Sequence, residues 1–245
     1  MSTLLDNGLE TGNRIAKGRA IWLCGLMGYE ASIPTIDKLV RSRGADIAAP
    51  SARALGLLGY RKAIPTLMDM ITRLSPEKAE AAAYALRQLG GQDVIDRLNG
   101  LVGTTGGETR FRIVRTLYEL GAPGALDILK NEYMDIAAAT IRPEAAIILA
   151  KNGEWEGMQF LRTRLVTPFD PNESTLIYRA RATAALIEGG DWNAVTGLQK
   201  TLRLQDNDVL ALNDRQRRER PIVVSKVKVK TCQLMTELGT PKLIS

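Results

Sequence analysis

The stretch GLLGYRKAIPTLMDMI, residues 56–71, restates GLMGYEASIPTIDKLV, residues 25–40, with few changes. The offset is 31 residues, and the glycine of each GY pair, Gly28 and Gly59, marks it. The same step reaches Gly90 and then Gly121. Gly153 follows after 32 residues, Gly190 after 37 and Gly239 after 49, which makes seven copies with the first four in strict register. A fixed period of this length is the signature of a stacked-repeat architecture.

The flanks give the repeat its physics. Ahead of each glycine runs a helical pattern with small residues on one face: SARALGLLG, AEAAAYALRQLG, FRIVRTLYELG, PEAAIILAKNG and RARATAALIEGG. Alanine there lets a neighbouring helix come close. The glycine is expected just past the helix end, where the chain turns through a left-handed conformation. A second helix follows, with Pro34 or Pro65 in its first turn and apolar residues at helical spacing, as in Ile64, Leu67, Met68 and Ile71. Each unit is therefore expected to be a helical hairpin. One hairpin cannot bury both its apolar faces and must stack on the next. The expected fold is all-α, an α-solenoid of about seven such hairpins forming one domain over residues 1–245. Aromatic residues make up only 5% of the 245 residues, which also disfavours a β-sandwich.

The pattern A-x-A-L-G-x-L-G-x-x-x-A-I-P-x-L, Ala52–Leu67, resembles the short HEAT-like repeat of the phycobilisome-lyase-like family. The resemblance is close over residues 18–73, traceable to Tyr133 and looser beyond. It implies a helical solenoid, and for function it implies lyase subunits, adaptors and assembly factors alike.

The period breaks twice. TPFDPNESTLIY, Thr167–Tyr178, lengthens one step, and LQDNDVLALNDRQRRERPIVVS, Leu204–Ser225, lengthens the next. Insertions in repeat proteins fall in loops on one face, often the binding face. The charge is uneven too. Residues 200–245 hold ten Lys/Arg against five acids, which leaves 23 against 22 in residues 1–199.

Several chemistries are excluded or disfavoured. There is no histidine, so the commonest general base and metal ligand is missing. The chain resembles HEAT-repeat hydroxylases of the deoxyhypusine type, and that resemblance implies His-Glu pairs for a di-iron centre, which this sequence lacks. Asp37, Asp69, Asp96 and Asp127 recur near the starts of second helices, where an anion suits the helix dipole. GTTGGET, Gly103–Thr109, has glycines suited to a phosphate loop but lacks the Gly-Lys-Ser/Thr ending, and is expected to be an inter-unit turn. Cys24 and Cys232 lie in apolar helical patterns and are expected to be buried free thiols. With no secretory leader or apolar run of spanning length, the chain is expected in the cytoplasm, without cofactor or metal and without catalytic activity.

The expected function is a non-catalytic scaffold, adaptor or assembly subunit. Its partner would be an acidic protein or a member of a larger assembly. Two surfaces are candidates. One is the concave face formed by second helices, carrying Lys38, Arg41, Arg73, Arg97, Lys130, Arg162, Arg164, Lys200 and Arg203, with Trp155 and Trp192 at matching turn positions. The other is the insertion at about 204–225 with Arg215, Arg217, Arg218 and Arg220. The family resemblance implies a second class, a phycobilisome or bilin-lyase-like accessory protein. A third is a nucleic-acid binder resembling HEAT-like alkylpurine DNA glycosylases. The scarcity of aromatics and the near-neutral residues 1–199 disfavour it.

Overall fold

The computed structural model of the protein describes residues 7–10, 13–73, 75–134, 140–168, 170–209 and 214–238. Those residues form helices joined by turns, with no strand among them, and six of the expected helix pairs lie among them; of the seventh only the first helix is described. The chain forms two compact units, Met1–Ile128 and Leu129–Ser245.

In the first unit the helices alternate between two roles. The first helices of the hairpins are α1 (Arg14–Leu26), α3 (Ala45–Leu57), α5 (Pro76–Leu89) and α7 (Gly107–Glu119). The second helices are α2 (Ile33–Leu39), α4 (Ile64–Arg73) and α6 (Gln92–Val102), and α8 (Ala125–Tyr133) follows α7. Short 3-10 turns at Glu30–Ser32 and Arg61–Ala63 lead into α2 and α4. First helix packs on first helix, α1 on α3, α3 on α5 and α5 on α7. Gly25 and Gly56 make this close. A Cβ on Gly25 would lie 2.7 Å from Ala54 Cα, and one on Gly56 would lie 2.6 Å from Ala85 Cα. The core is accordingly built from Ala49, Ala52, Ala81, Ala82 and Ala85 between Ile21, Leu55, Leu67 and Leu86.

The glycine after each helix does what the repeat requires. Gly28, Gly59, Gly90, Gly121, Gly153 and Gly190 all have positive φ. At five of them the next residue reaches back to the helix: Tyr29 N–H to Cys24 O, Tyr60 to Leu55, Ala122 to Leu117, Glu154 to Leu149 and Asp191 to Leu186. These bonds satisfy carbonyls that the helix end would otherwise leave open. Gly239 lies outside the described residues.

In the second unit α9 (Ile141–Lys151), α11 (Glu173–Glu188) and α13 (Asp214–Glu237) take the first-helix role, while α10 (Trp155–Val166) and α12 (Val195–Leu202) take the second. α9 packs on α11 and α11 on α13.

Several expectations need correction. Much of the described part of the basic insertion is not a loop. Residues 206–208 form a 3-10 turn, and from Asp214 the segment belongs to α13, which continues through Pro221 to Glu237; residues 210–213 lie outside the described residues. The connector at 167–178 is also shorter than expected, because Asn172 caps α11 through a reciprocal bond with Thr175. On α4 it is Met70 that is buried beside Ile64, Leu67 and Ile71, and Met68 is only half-buried. Of the recurring acids only Asp127 stands in a first turn. Asp37 and Asp69 sit a turn further on, where each meets an arginine at i+4, Arg41 at 3.9 Å and Arg73 at 2.9 Å, and Asp96 accepts from Gln92. Cys24 is buried and outside any disulfide as expected, but Cys232, also outside any disulfide, is exposed. Gly107 in GTTGGET opens α7, so that stretch is an inter-helix turn. No helix of the described residues is long and apolar enough to cross a membrane.

Candidate functional site

The repeat period reappears in the charges. Arg14 grips Asp46, Arg61 pairs with Asp93, Arg87 lies 2.8 Å from Glu119, and Arg112 and Arg115 converge on Glu80 from 32 and 35 residues on. In the second unit Lys151 pairs with Glu188 at 3.1 Å and Arg181 with Glu144 at 2.6 Å. Most of these cations serve the joints between repeats. Burial would push the Glu80 carboxyl up, but Arg115 and Arg112 together outweigh it and hold it below the usual range. Arg181 is held high by its bond to Glu144.

The same accounting thins the expected basic stripe. In the first unit Arg41 leans on Asp37 and donates to Thr66 of the next repeat, and Arg73 is matched by Asp69. Lys38 and Arg97 are exposed without an ion-pair partner among the described residues. Lys130 is held by Glu154 at 2.6 Å, with Glu156 at 3.8 Å. A continuous track of free cations is therefore absent among the described residues.

What the second unit offers instead is a groove of about 720 Å³ between α10, α11 and α12. Leu165, Leu176 and Leu186 contribute apolar walls, and Arg162, Arg179 and Lys200 point positive charge at the space. One acid, Asp191, shares it, bonded to Arg162 at 2.8 Å. Arg179 donates to the carbonyl of Leu165 at the end of α10, and its burial lowers its affinity for the proton. Lys200 is exposed and has no ion-pair partner among the described residues. The lining exists because α12 approaches α11 closely, with Gly197 placed so that a Cβ would lie 3.0 Å from Thr183.

Of the residues singled out in the sequence, the structure brings Arg162 and Lys200 into this groove. Trp155 is 62% exposed, with the Arg162 guanidinium 5.9 Å from its ring centre, so it flanks the same arginine. Trp192 is 50% exposed and immediately precedes Asn193 and Ala194, which line the groove. Arg203 caps α12 beside the lining residue Leu204. Arg164 belongs to a smaller adjoining pocket of about 250 Å³ with Tyr178, whose hydroxyl is pushed up by burial while Arg164 opposes the shift. Arg215, Arg217, Arg218 and Arg220 lie on α13 and none lines the groove. Arg179 was not singled out. It sits on a first helix, in RAR, and its one sequence signal is that the groove falls at the first break in the period.

Among the described residues no group of three or more His, Cys, Asp and Glu side chains is placed to hold a metal ion.

No family model matches the sequence, and no curated protein does. Among solved structures, the chain is similar to the complex of CpcE and CpcF of phycocyanin lyase from Nostoc sp. PCC7120. The TM-score is 0.50 and the identity 19%, over 97% of this chain and 94% of that one. Human deoxyhypusine hydroxylase in complex with glycerol aligns with a TM-score of 0.35 and 16% identity, over 92% of this chain and 83% of that one. An engineered protein aligns with a TM-score of 0.42 and 16% identity, over 95% and 96%. The fold is a HEAT-like helical repeat.

Proposed function

We propose that this protein is a non-catalytic interaction module that seats a partner protein in the groove between α10, α11 and α12. The observation that carries this is the composition of the groove, three cations against one acid over apolar walls. Such a surface suits a segment that presents carboxylates beside apolar side chains: desolvated apolar contact supplies affinity, and the charges supply orientation and on-rate. Carrying the partner on one continuous repeat array over residues 1–245 is part of the same proposal.

The test is affinity capture with mass spectrometry, comparing the wild type with Lys200→Glu and with a variant carrying Arg215→Ser, Arg217→Ser, Arg218→Ser and Arg220→Ser. Lys200→Glu is expected to weaken capture of at least one partner about tenfold, as a charge reversal at an interface does. The quadruple variant is expected to retain that partner. Identical recovery by wild type and Lys200→Glu would remove the groove from consideration.

A second reading, a phycobilisome or bilin-lyase-like accessory protein, draws on the likeness to the phycocyanin lyase structure over 97% of the chain. In it Arg162, Arg179 and Lys200 would hold a ligand's carboxylates. Mixing the protein with a bilin tests it: a shifted absorbance band supports it, and an unchanged spectrum refutes it.

A further inference from the structure

α13 turns a second surface outward. Its inner side packs on the rest of the unit through Val224, Val227 and Leu234. Away from Val227 and Leu234, Pro221, Ser225, Val229, Cys232 and Thr236 line a shallow trough of about 570 Å³, with Val224, Lys228 and Gln233 completing its edges. The spacing of the first five places them on one stripe of the helix, about 22 Å long at 1.5 Å per residue. Val229 and the neighbouring Ile222 are each 56% exposed, and Cys232 is exposed. The stripe pairs apolar with small side chains, the combination that lets α1, α3 and α5 approach one another at Gly25, Ala54, Gly56 and Ala85.

Charge identifies what fits there. α13 carries seven Lys/Arg against three acids. Arg218, Lys228 and Lys230 have no ion-pair partner among the described residues, whereas cations on inner first helices are answered by acids about one repeat away, as at Arg14–Asp46, Arg87–Glu119 and Lys151–Glu188. A second copy of α13 would set like charge against like. A helix with small or apolar residues on one side and Glu or Asp along its flanks would bury the stripe and supply the missing anions. We propose that the outward face of α13 docks such an acidic amphipathic helix from a partner protein. This surface shares no lining residue with the groove between α10 and α12, so either site can fail without the other.

Cys232 is a built-in reporter, because the other thiol, Cys24, is buried. The rate of its alkylation by a maleimide dye would be followed in the full chain. The probes are a synthetic helix of about 15 residues, matched to the stripe length, with an Ala/Leu face and Glu flanks, its Lys-flanked counterpart, phosphatidylglycerol vesicles and duplex DNA. The Glu helix is expected to slow alkylation about fivefold or more at low salt and less at high salt. The Lys helix should leave the rate unchanged. The double variant Lys228→Glu, Lys230→Glu and, separately, Val229→Arg at its exposed position should both lose the protection while keeping the wild-type helical circular dichroism. Unprotected Cys232, equal protection by both helices, stronger protection by vesicles or DNA, or protection that grows with protein concentration alone would each overturn the assignment. The last three would hand the face to non-specific contact, to a membrane or nucleic acid, or to a second copy.

Discussion

A side chain at Gly56 would meet Ala85 Cα at 2.6 Å, whereas one at Gly59, three residues on, would meet nothing within 4 Å. The two glycines of GLLGY are thus required for different reasons. Gly56 is a packing contact between α3 and α5. Gly59 has φ of +66°, a left-handed turn that strains any residue with a Cβ. Gly56→Ala is expected to cost about 1–3 kcal/mol by overpacking, and Gly59→Ala about 1–2 kcal/mol by backbone strain. Asparagine separates them: it tolerates the left-handed region, so Gly59→Asn should recover part of the loss while Gly56→Asn should be worse than Gly56→Ala. Urea midpoints of the four variants check this. The turn glycine was legible in the sequence because its cause is local and recurs every 31 residues. The packing glycine was not, because its cause is a carbon of the next repeat.

At the scale of the element, the joints between first helices combine small-residue packing with ion pairs about one repeat long. Glu80 is the most connected of these acids, accepting from Arg112 and Arg115. Arg112 is only 7% exposed, so removing its anion leaves a buried cation without its charged partner. Glu80 itself is partly exposed and screened, which lowers the expected cost of Glu80→Gln to about 1–2 kcal/mol. The sign of the pH effect follows from its depressed carboxyl. Its stabilising contribution is complete above the usual carboxylate range and is lost as pH falls through and below it. The difference in stability between wild type and Glu80→Gln should therefore shrink as pH drops below about 4.5. Denaturation midpoints taken across the acid range would show this, and a constant gap would mean that Glu80 acts through shape rather than charge. The hairpins were legible as elements, since apolar spacing, proline and glycine act within a few residues. The basic part of the insertion from Asp214 on was misread as a loop because a proline and a dense charge run resemble a connector. In the structure Val224, Val227 and Leu234 give that segment a buried side, and it is a helix.

For the molecule as a whole, the formal net charge of +6 is concentrated, since residues 200–245 carry ten cations and five acids. Partner binding through Lys200 or α13 should then be strongly screened. Raising ionic strength from about 0.05 M to about 0.5 M is expected to weaken it about tenfold or more, measurable by fluorescence anisotropy with the captured partner. An affinity unchanged by salt would show that apolar contact alone holds the complex. The sequence by itself determined the repeat, the hairpin and its turns, and the absence of histidine, because each is written in neighbouring residues or in composition. Only the tertiary structure decided which cations are spent on joints and which remain free. Arg61 and Asp93 lie 32 residues apart, and whether they meet depends on the phase of each helix against its neighbour. The groove arises the same way, where α10 and α12 flank α11 at the first break in the period and bring Arg162, Arg179 and Lys200 around one space.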